Sequence, residues 1–180
     1  MTSKVTKGRL MLIALVCTFA LPAVIAKVIL TQGWYQSGVT NRGVLVEPYT
    51  TLELLGQESP PLKDHRWQLA YVLPNECTEQ CRQQLYLLQQ SHVALGKYQE
   101  RVVPVLWQTE LSDTVDVSMT TMQINQSVTA KVKPGQILIV DPLGGQLVMS
   151  YSPQPNEDLV SFNKGMLADL RKLLKLSRVG

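Results

Sequence analysis

Two cysteines, Cys77 and Cys81, are the residues whose type and spacing could do chemistry in this sequence. They follow the apolar run from Trp67 to Leu73, and Pro74-Asn75 breaks that run. Both thiols therefore lie in a turn between a predicted strand and a predicted helix. Free N–H groups and the dipole at a helix N-terminus stabilise a thiolate. The spacing thus predicts redox chemistry or binding of a soft metal ion at this pair.

The charged neighbours of the pair act in opposite directions. Glu76 and Glu79 disfavour a thiolate and Arg82 favours one. The sequence therefore does not fix whether the pKa of the thiols is raised or lowered. A small structural disulfide is the plain alternative. Closing a loop of about five residues would contribute only roughly 2 kcal/mol in the chain-entropy model. That small gain favours a chemical role for the pair over a staple.

The N-terminus carries a predicted membrane anchor. Three basic residues precede an apolar run from Leu10 to Ala26, which extends to residue 30 if Lys27 snorkels to the interface. Positive charge before the span orients the N-terminus toward the cytoplasm. We therefore predict a cytoplasmic N-terminus over residues 1–9 and a single-pass anchor over residues 10–30. In a bacterium the anchor lies in the inner (cell) membrane, with the lipid bilayer as its partner and the C-terminal domain in the periplasm.

A cleaved signal peptide is the alternative for this segment, because Val24 and Ala26 occupy the positions that a signal peptidase reads. The apolar run is long for a signal core and continues past that candidate cleavage site to residue 30. We therefore expect an uncleaved anchor, with Cys17 inside the span as a lipid-facing or packing residue.

The net charge of +3 is an average over two different parts of the chain. Four of the 17 basic residues belong to the anchor and its flanks, so the exported part has 13 basic residues against all 14 acidic ones, about −1. It has no basic stripe, and nucleic acid is therefore excluded as a partner. Outside the cytoplasm a close thiol pair can be oxidised and stay oxidised.

The segments after the anchor alternate between strand and helix patterns. Residues 31–65 read as a lead-in or linker with a strand or hairpin at the domain edge, and residues 66–176 as the domain. Within the domain we predict strands over 65–73, 102–107, 136–141 and 146–151, helices over 78–96 and 156–176, and one or two short helices within 108–133. Asn156 is the expected N-cap of the last helix.

This order of elements, βαβαββα, is that of a thioredoxin fold. The anchor, Cys77-x3-Cys81, Ile139–Gly144 and Asp169–Leu174 together resemble membrane-anchored, thioredoxin-like Sco/SenC proteins, and small transmembrane proteins of bacterial cytochrome c oxidase gene clusters. The resemblance implies an α/β fold, with a thioredoxin-like domain behind a single transmembrane helix. It also implies a factor in cytochrome c oxidase assembly that handles Cu(I) or partner thiols through Cys77 and Cys81, with oxidase subunits or other assembly factors as partners.

One residue of the Sco copper site is missing. Sco proteins add a histidine just before the strand that ends in Asp-x-x-Gly, where this chain reads Ala130 to Gln136 without histidine. His92 lies about 16 Å along the predicted helix from Cys81, and His65 lies about 26 Å from the turn that carries the thiols. Neither histidine can therefore complete a three-ligand site. Two thiolates can still hold Cu(I), with a Met, a water or a partner side chain as third ligand. For Met119 and Met122 we expect core packing instead.

Two other functions stay open. A thiol–disulfide oxidoreductase would use an exposed Cys77 to attack and a buried Cys81 to resolve, although such enzymes usually space the pair as Cys-x-x-Cys. A degenerate thioredoxin scaffold would only dock other proteins. We expect an assembly factor rather than an enzyme. Pro134 stands where thioredoxin folds place a cis-proline against the thiols, and a trans turn proline before Gly135 is the alternative.

Overall fold

The computed structural model describes residues 4–31, 41–59, 63–154 and 156–179. The chain divides into two units, Met1–Thr40 and Asn41–Gly180. Helix α1, Lys4–Thr31, belongs to the first unit. Its segment Lys7–Ile29 is long and apolar enough to cross a membrane, a test that a signal sequence near the N-terminus also passes. The helix is therefore a candidate membrane span.

The second unit is built on one six-stranded sheet. Its strand order is β1-β6-β5-β2-β3-β4. Strand β3 runs parallel to β2 and to β4, whereas β5 runs antiparallel to β2 and to β6, and β1 is antiparallel to β6. The elements are β1 Val44–Leu45, β2 Trp67–Val72, α2 Glu79–Val93, a 3₁₀ helix Gly96–Arg101, β3 Val102–Gln108, β4 Thr120–Gln123, α3 Gln126–Thr129, β5 Ile137–Val140, β6 Leu147–Tyr151 and α4 Leu159–Leu176.

The sheet is covered on both faces. One face packs against α2 and α4, whose apolar residues include Leu88 and Met166. The other face packs against Leu52 and the region of Val128 in α3. Strands β2 and β5 are buried along their whole length, which confirms the prediction of a doubly buried strand at residues 136–141. The predicted hairpin of β5 and β6 is also present.

The prediction of only short helices within residues 108–133 is wrong for residues 120–123. Here the chain forms β4, which pairs in parallel with β3, Thr120 opposite Val105 and Met122 opposite Trp107. Thr120 and Thr121 suit a strand because they are β-branched. A free sheet edge beside β3 therefore outweighed the helical spacing of the apolar residues. One short helix, α3, does follow, and Asn125 caps it by accepting a hydrogen bond from the Val128 N–H.

The last helix begins later than its sequence signals indicated. Asn156 is not the N-cap, since it has a positive φ of 65° and lies in the turn before the helix. Asp158 caps α4 instead, and its carboxylate accepts hydrogen bonds from the N–H groups of Val160 and Ser161. Two acceptor residues so close together in sequence compete for one cap, and the tertiary position of the turn decides between them.

Part of the predicted lead-in is tied into the second unit. Strand β1 extends the sheet as an edge strand beside β6. Leu52 is completely buried, and its N–H donates to the carbonyl of Gly145 at 2.9 Å. The N–H groups of Arg42 and Gly43 both donate to the buried carboxylate of Asp169 in α4. Residues 41–59 thus pack as part of the compact unit.

Candidate functional site

The turn between β2 and α2 carries both candidate cysteines. Cys77 and Cys81 are joined by a disulfide, with 5.2 Å between their Cα atoms. Thr78 is the N-cap of α2 and accepts the first helical hydrogen bond, from the N–H of Arg82. Cys77 therefore precedes the helix, and Cys81 lies in its first turn. This is the position that the sequence predicted for the pair.

Both cysteines are buried to the same degree, with an exposed fraction of 5% each. They belong to the core cluster between the sheet and helices α2 and α4, which includes Tyr71 and Leu85. The exposed Cys77 that the oxidoreductase alternative assumed is therefore not observed. The loop after β3 lies against this turn.

That loop contacts the turn through two polar side chains. The hydroxyl of Ser112 donates to the carbonyl of Leu73 at 3.1 Å, just after β2. The carboxylate of Asp113 accepts a hydrogen bond from the Cys77 N–H, with 3.5 Å between Oδ2 and N. Sequence analysis missed Asp113, because 36 residues separate it from Cys77. No local pattern links two positions that only the parallel pairing of β2 and β3 brings together.

Two open cavities flank the disulfide. The first, the Cys77 groove, has a volume of about 480 Å³, and its lining includes Cys77, Arg82, Tyr86, Asp113 and Asp116. The second, the Cys81 groove, has a volume of about 550 Å³, and its lining includes Tyr71, Glu76, Cys81, Gln84, Lys133 and Pro134. An open groove thus lies beside each of the two cysteines.

The turn before β5 forms one wall of the Cys81 groove. The N–H of Gly135 donates to the carbonyl of Val72 at 2.8 Å, which holds the turn at the end of β2. Pro134 therefore lies beside the thiol pair, as its sequence position indicated. Its peptide bond is trans, since the cis bond found in the described part of the chain is Glu47–Pro48.

The histidines have other roles. His92 Nε2 lies 3.1 Å from the carbonyl oxygen of Gln99 and 2.8 Å from that of Val102, so it joins α2 to the start of β3. His65 is exposed and precedes β2. Among the described residues no group of three or more His, Cys, Asp and Glu side chains is placed to hold a metal ion. Met119 and Met122 pack against the two cores, as predicted.

A buried tyrosine in the Cys81 groove makes the fold sensitive to alkaline pH. Burial raises the pKa of Tyr71 to about 12 from an ordinary value of 10.0. Between these two values the unfolded chain loses the phenol proton while the folded chain keeps it. The free energy of unfolding is therefore unaffected by this tyrosine below pH 10 and falls as the pH rises toward 12. Burial and the nearby Asp169 also raise the pKa of Tyr151, which adds to the same loss.

We therefore expect Tyr71→Phe to weaken the alkaline loss of stability. Denaturant unfolding at a series of pH values from 9 upward measures the free energy of unfolding. The wild type should lose stability more steeply above pH 10 than Tyr71→Phe does. Tyr86→Phe, at an exposed position, is the matched control. Parallel curves for wild type and Tyr71→Phe would contradict the expectation.

Comparison with known proteins identifies the family. Residues 67–177 match the family described as "Transmembrane-like, thioredoxin-like, C-terminal domain". The chain belongs to this family. The match confirms the thioredoxin-like α/β fold and the sequence resemblance to thioredoxin-like membrane proteins, and α1 supplies the candidate span. No curated protein matches the chain.

Two solved structures of Sco proteins are similar to this chain. One, of copper-bound ScoI from Arabidopsis thaliana, is 14% identical, with a TM-score of 0.42 over 62% of this chain and 89% of that one. The other, of apo Sco1 from Thermus thermophilus, is 16% identical, with a TM-score of 0.45 over 74% of this chain and 96% of that one. Both are Sco proteins, the group that the sequence of this chain was found to resemble.

Proposed function

We propose that this protein is a membrane-tethered periplasmic factor of cytochrome c oxidase assembly that handles Cu(I) or partner thiols through Cys77 and Cys81. The observation that carries the proposal is the disulfide between Cys77 and Cys81 at the start of α2, with an open groove beside each cysteine. Family membership and the candidate span of α1 support a tethered thioredoxin-like factor. The basic residues before the span support a periplasmic domain. Oxidase subunits or other assembly factors are the proposed partners.

The donor set suits Cu(I) as a transient cargo. After reduction, two thiolates on Cα atoms 5.2 Å apart offer soft sulfur ligands, which select Cu(I) over harder ions. Both histidines lie elsewhere, and Asp113 near Cys77 offers a hard oxygen that Cu(I) disfavours. Two protein sulfurs and an open groove on each side suit an ion that is passed on, since a partner side chain can supply a further ligand.

Titration of Cu(I) into the reduced full-length chain in detergent micelles tests the copper role. We expect one equivalent to bind to the wild type, and the affinity to fall at least about tenfold in the Cys77→Ser/Cys81→Ser double variant, because both soft ligands are lost. Cys17→Ser, which removes the third cysteine, is the matched control and should bind like the wild type. Equal binding by the double variant and the wild type would refute copper handling at this pair.

Disulfide exchange is the second candidate, and the closed Cys77–Cys81 bond favours it. A partner dithiol would transfer two electrons and two protons to the pair, so that the partner becomes a disulfide and Cys77 and Cys81 become thiols. Incubation of the oxidised chain with a dithiol peptide, followed by mass spectrometry of both products, measures this transfer. Oxidase activity in cells carrying the double variant then tells whether either reaction matters for assembly. Normal activity there would leave only a docking scaffold.

A further inference from the structure

The Cys77 groove lies between a helix and a stretch of the loop that joins β3 to β4. The loop contributes the five consecutive residues 113–117 to one wall of the groove. The outer surface of α2 forms the other wall through the side chains of Arg82, Leu85, Tyr86 and Gln89. Cys77 lines the same groove, which has a volume of about 480 Å³. An object that fills the groove would therefore touch the loop, the helix and one cysteine of the disulfide.

The loop wall has the side-chain pattern of a strand. Along residues 114–118 burial alternates, because Val115 and Val117 pack against the core and the three residues beside and between them are exposed. Burial that changes from one residue to the next is the pattern of an extended chain. The segment leads directly into β4, which is an edge strand of the sheet. Residues of both orientations line the groove, so the groove runs along the backbone of the segment.

The backbone of this wall is unpaired. Residues 115–118 make no backbone hydrogen bond to any part of the chain that the structure describes. The stretch is nevertheless held at both ends, since the Ser112 hydroxyl donates to the carbonyl of Leu73 and Thr120 pairs with Val105. Unpaired N–H and C=O groups along an edge are a template for pairing with another strand. The groove thus offers such a template beside Cys77.

The charges of the groove suit a basic segment. At one end, Asp113 accepts from the Cys77 N–H at 3.5 Å and Arg82 donates to the Cys77 carbonyl at 3.4 Å, so opposite charges lie together there. Asp116 lies three residues further along, and its exposed carboxylate has no ion pair with a described residue. Tyr86, with an exposed fraction of 60%, offers apolar surface on the helix wall.

We propose that the Cys77 groove binds an extended segment of a partner protein, which adds as a β-strand beside residues 115–118 and places a Lys or Arg side chain on Asp116. Main-chain hydrogen bonds hold the segment to the loop, and Tyr86 contacts one of its apolar side chains. About five partner residues match the length of the wall, since both chains rise about 3.3 Å per residue. The inference deepens the proposed function and rests on it for the partner's thiol, which the docked segment would bring beside Cys77.

Fluorescence anisotropy with a synthetic peptide tests the docking without copper or thiol exchange. The probe is a fluorescein-labelled peptide of eight alternating lysine and valine residues, and the protein is the oxidised full-length chain in micelles of an uncharged detergent. We expect saturable binding that empty micelles do not show. The same peptide with every internal backbone nitrogen methylated should bind at least about tenfold more weakly, because it keeps its charge but donates no main-chain hydrogen bonds. Absence of saturable binding, or equal binding of the two peptides, overturns strand addition.

Two substitutions locate the bound peptide. Asp116→Asn should weaken binding about threefold, since an exposed ion pair contributes at most about 1 kcal/mol. Tyr86→Ala should weaken it about threefold to tenfold through the loss of apolar contact. Glu110→Gln, in the same loop but outside the lining of the groove, is the matched control and should bind like the wild type. If Glu110→Gln weakens binding as much as Asp116→Asn does, the attraction is not specific to the groove and the assignment is wrong.

Hydrogen exchange reads out the backbone contact directly. The amides of residues 115–118 should exchange rapidly in the free chain, because they have no hydrogen-bond partner among the described residues. A saturating amount of the lysine–valine peptide should slow their exchange at least about tenfold, as expected for new ladder hydrogen bonds. Binding that leaves the exchange of these amides unchanged would overturn the proposal.

Failure of this inference is distinguishable from failure of the proposed function. The anisotropy and exchange experiments keep the disulfide closed and contain no copper, so a failed Cu(I) titration or an absent dithiol transfer would not alter their outcome. Failed docking of the peptide would in turn remove the strand-addition site, while the copper and exchange experiments on Cys77 and Cys81 would keep their own outcomes.

Discussion

Replacement of Asp169 by alanine should lower the free energy of unfolding by about 3–5 kcal/mol, because several buried donors lose their acceptor together. Asp169 lies in α4 with an exposed fraction of 3%. Its Oδ2 atom accepts from the N–H of Arg42 at 2.6 Å, from the N–H of Gly43 at 3.1 Å and from the hydroxyl of Tyr151 at 3.3 Å. One carboxylate thus joins the start of the compact unit to its last strand and last helix.

Chemical denaturation of the full-length chain in detergent measures this loss. Asp169→Asn keeps one acceptor oxygen and should lose less stability than Asp169→Ala. Asp116→Ala, at an exposed position, is the control and should change stability by less than about 0.5 kcal/mol. If Asp169→Ala were as mild as the control, residues 41–43 would not be held by this carboxylate.

Substitution of Gly43 by valine should destabilise the fold by about 3 kcal/mol, a result of overpacking against a rigid ring. A Cβ atom at Gly43 would lie 2.4 Å from Cζ of Tyr151 and 2.6 Å from its Cε1. Tyr151 is buried, and its ring packs edge-on against Phe162 at 6.4 Å between centroids. The ring therefore has little room to move, and the backbone of Gly43 would have to leave Asp169.

Gly165→Ala is the matched control for a crowded glycine. A Cβ atom there would lie 2.9 Å from Cγ and 3.1 Å from Cβ of Arg42, so the base of that side chain would have to shift at some cost. Alanine offsets this cost because it favours the helix by about 1 kcal/mol over glycine. We expect Gly165→Ala to be near neutral in the same denaturation experiment. A Gly43 variant as stable as Gly165→Ala would show that β1 and its flank are dispensable for the unit.

Both predictions concern contacts that the sequence does not reveal. Gly43 and Arg42 read as parts of a lead-in punctuated by glycine and proline, and Asp169 belongs to the segment Asp169–Leu174 that carries the family resemblance, without any sign of its partners. Their contacts span 126 and 127 residues. A local pattern carries no information about a hydrogen bond over such a separation, because either partner could equally well be solvated.

The sequence by itself determined the features that depend on local chemistry. The apolar run of α1, the strand-to-helix turn that carries Cys77 and Cys81, and the doubly buried strand β5 each follow from residue type and spacing over less than 25 residues. Their order along the chain was enough to predict the thioredoxin-like fold, because few topologies accommodate that order.

Only the tertiary structure decided which long-range neighbours these elements acquired. Pairing with β3 made residues 120–123 a strand despite their helical spacing, and the position of the preceding turn made Asp158 the helix cap in place of Asn156. Folding also brought Asp113 to Cys77 and buried both cysteines alike. These outcomes depend on contacts between distant segments, which compete with local preferences and are decided only when the whole sheet has formed.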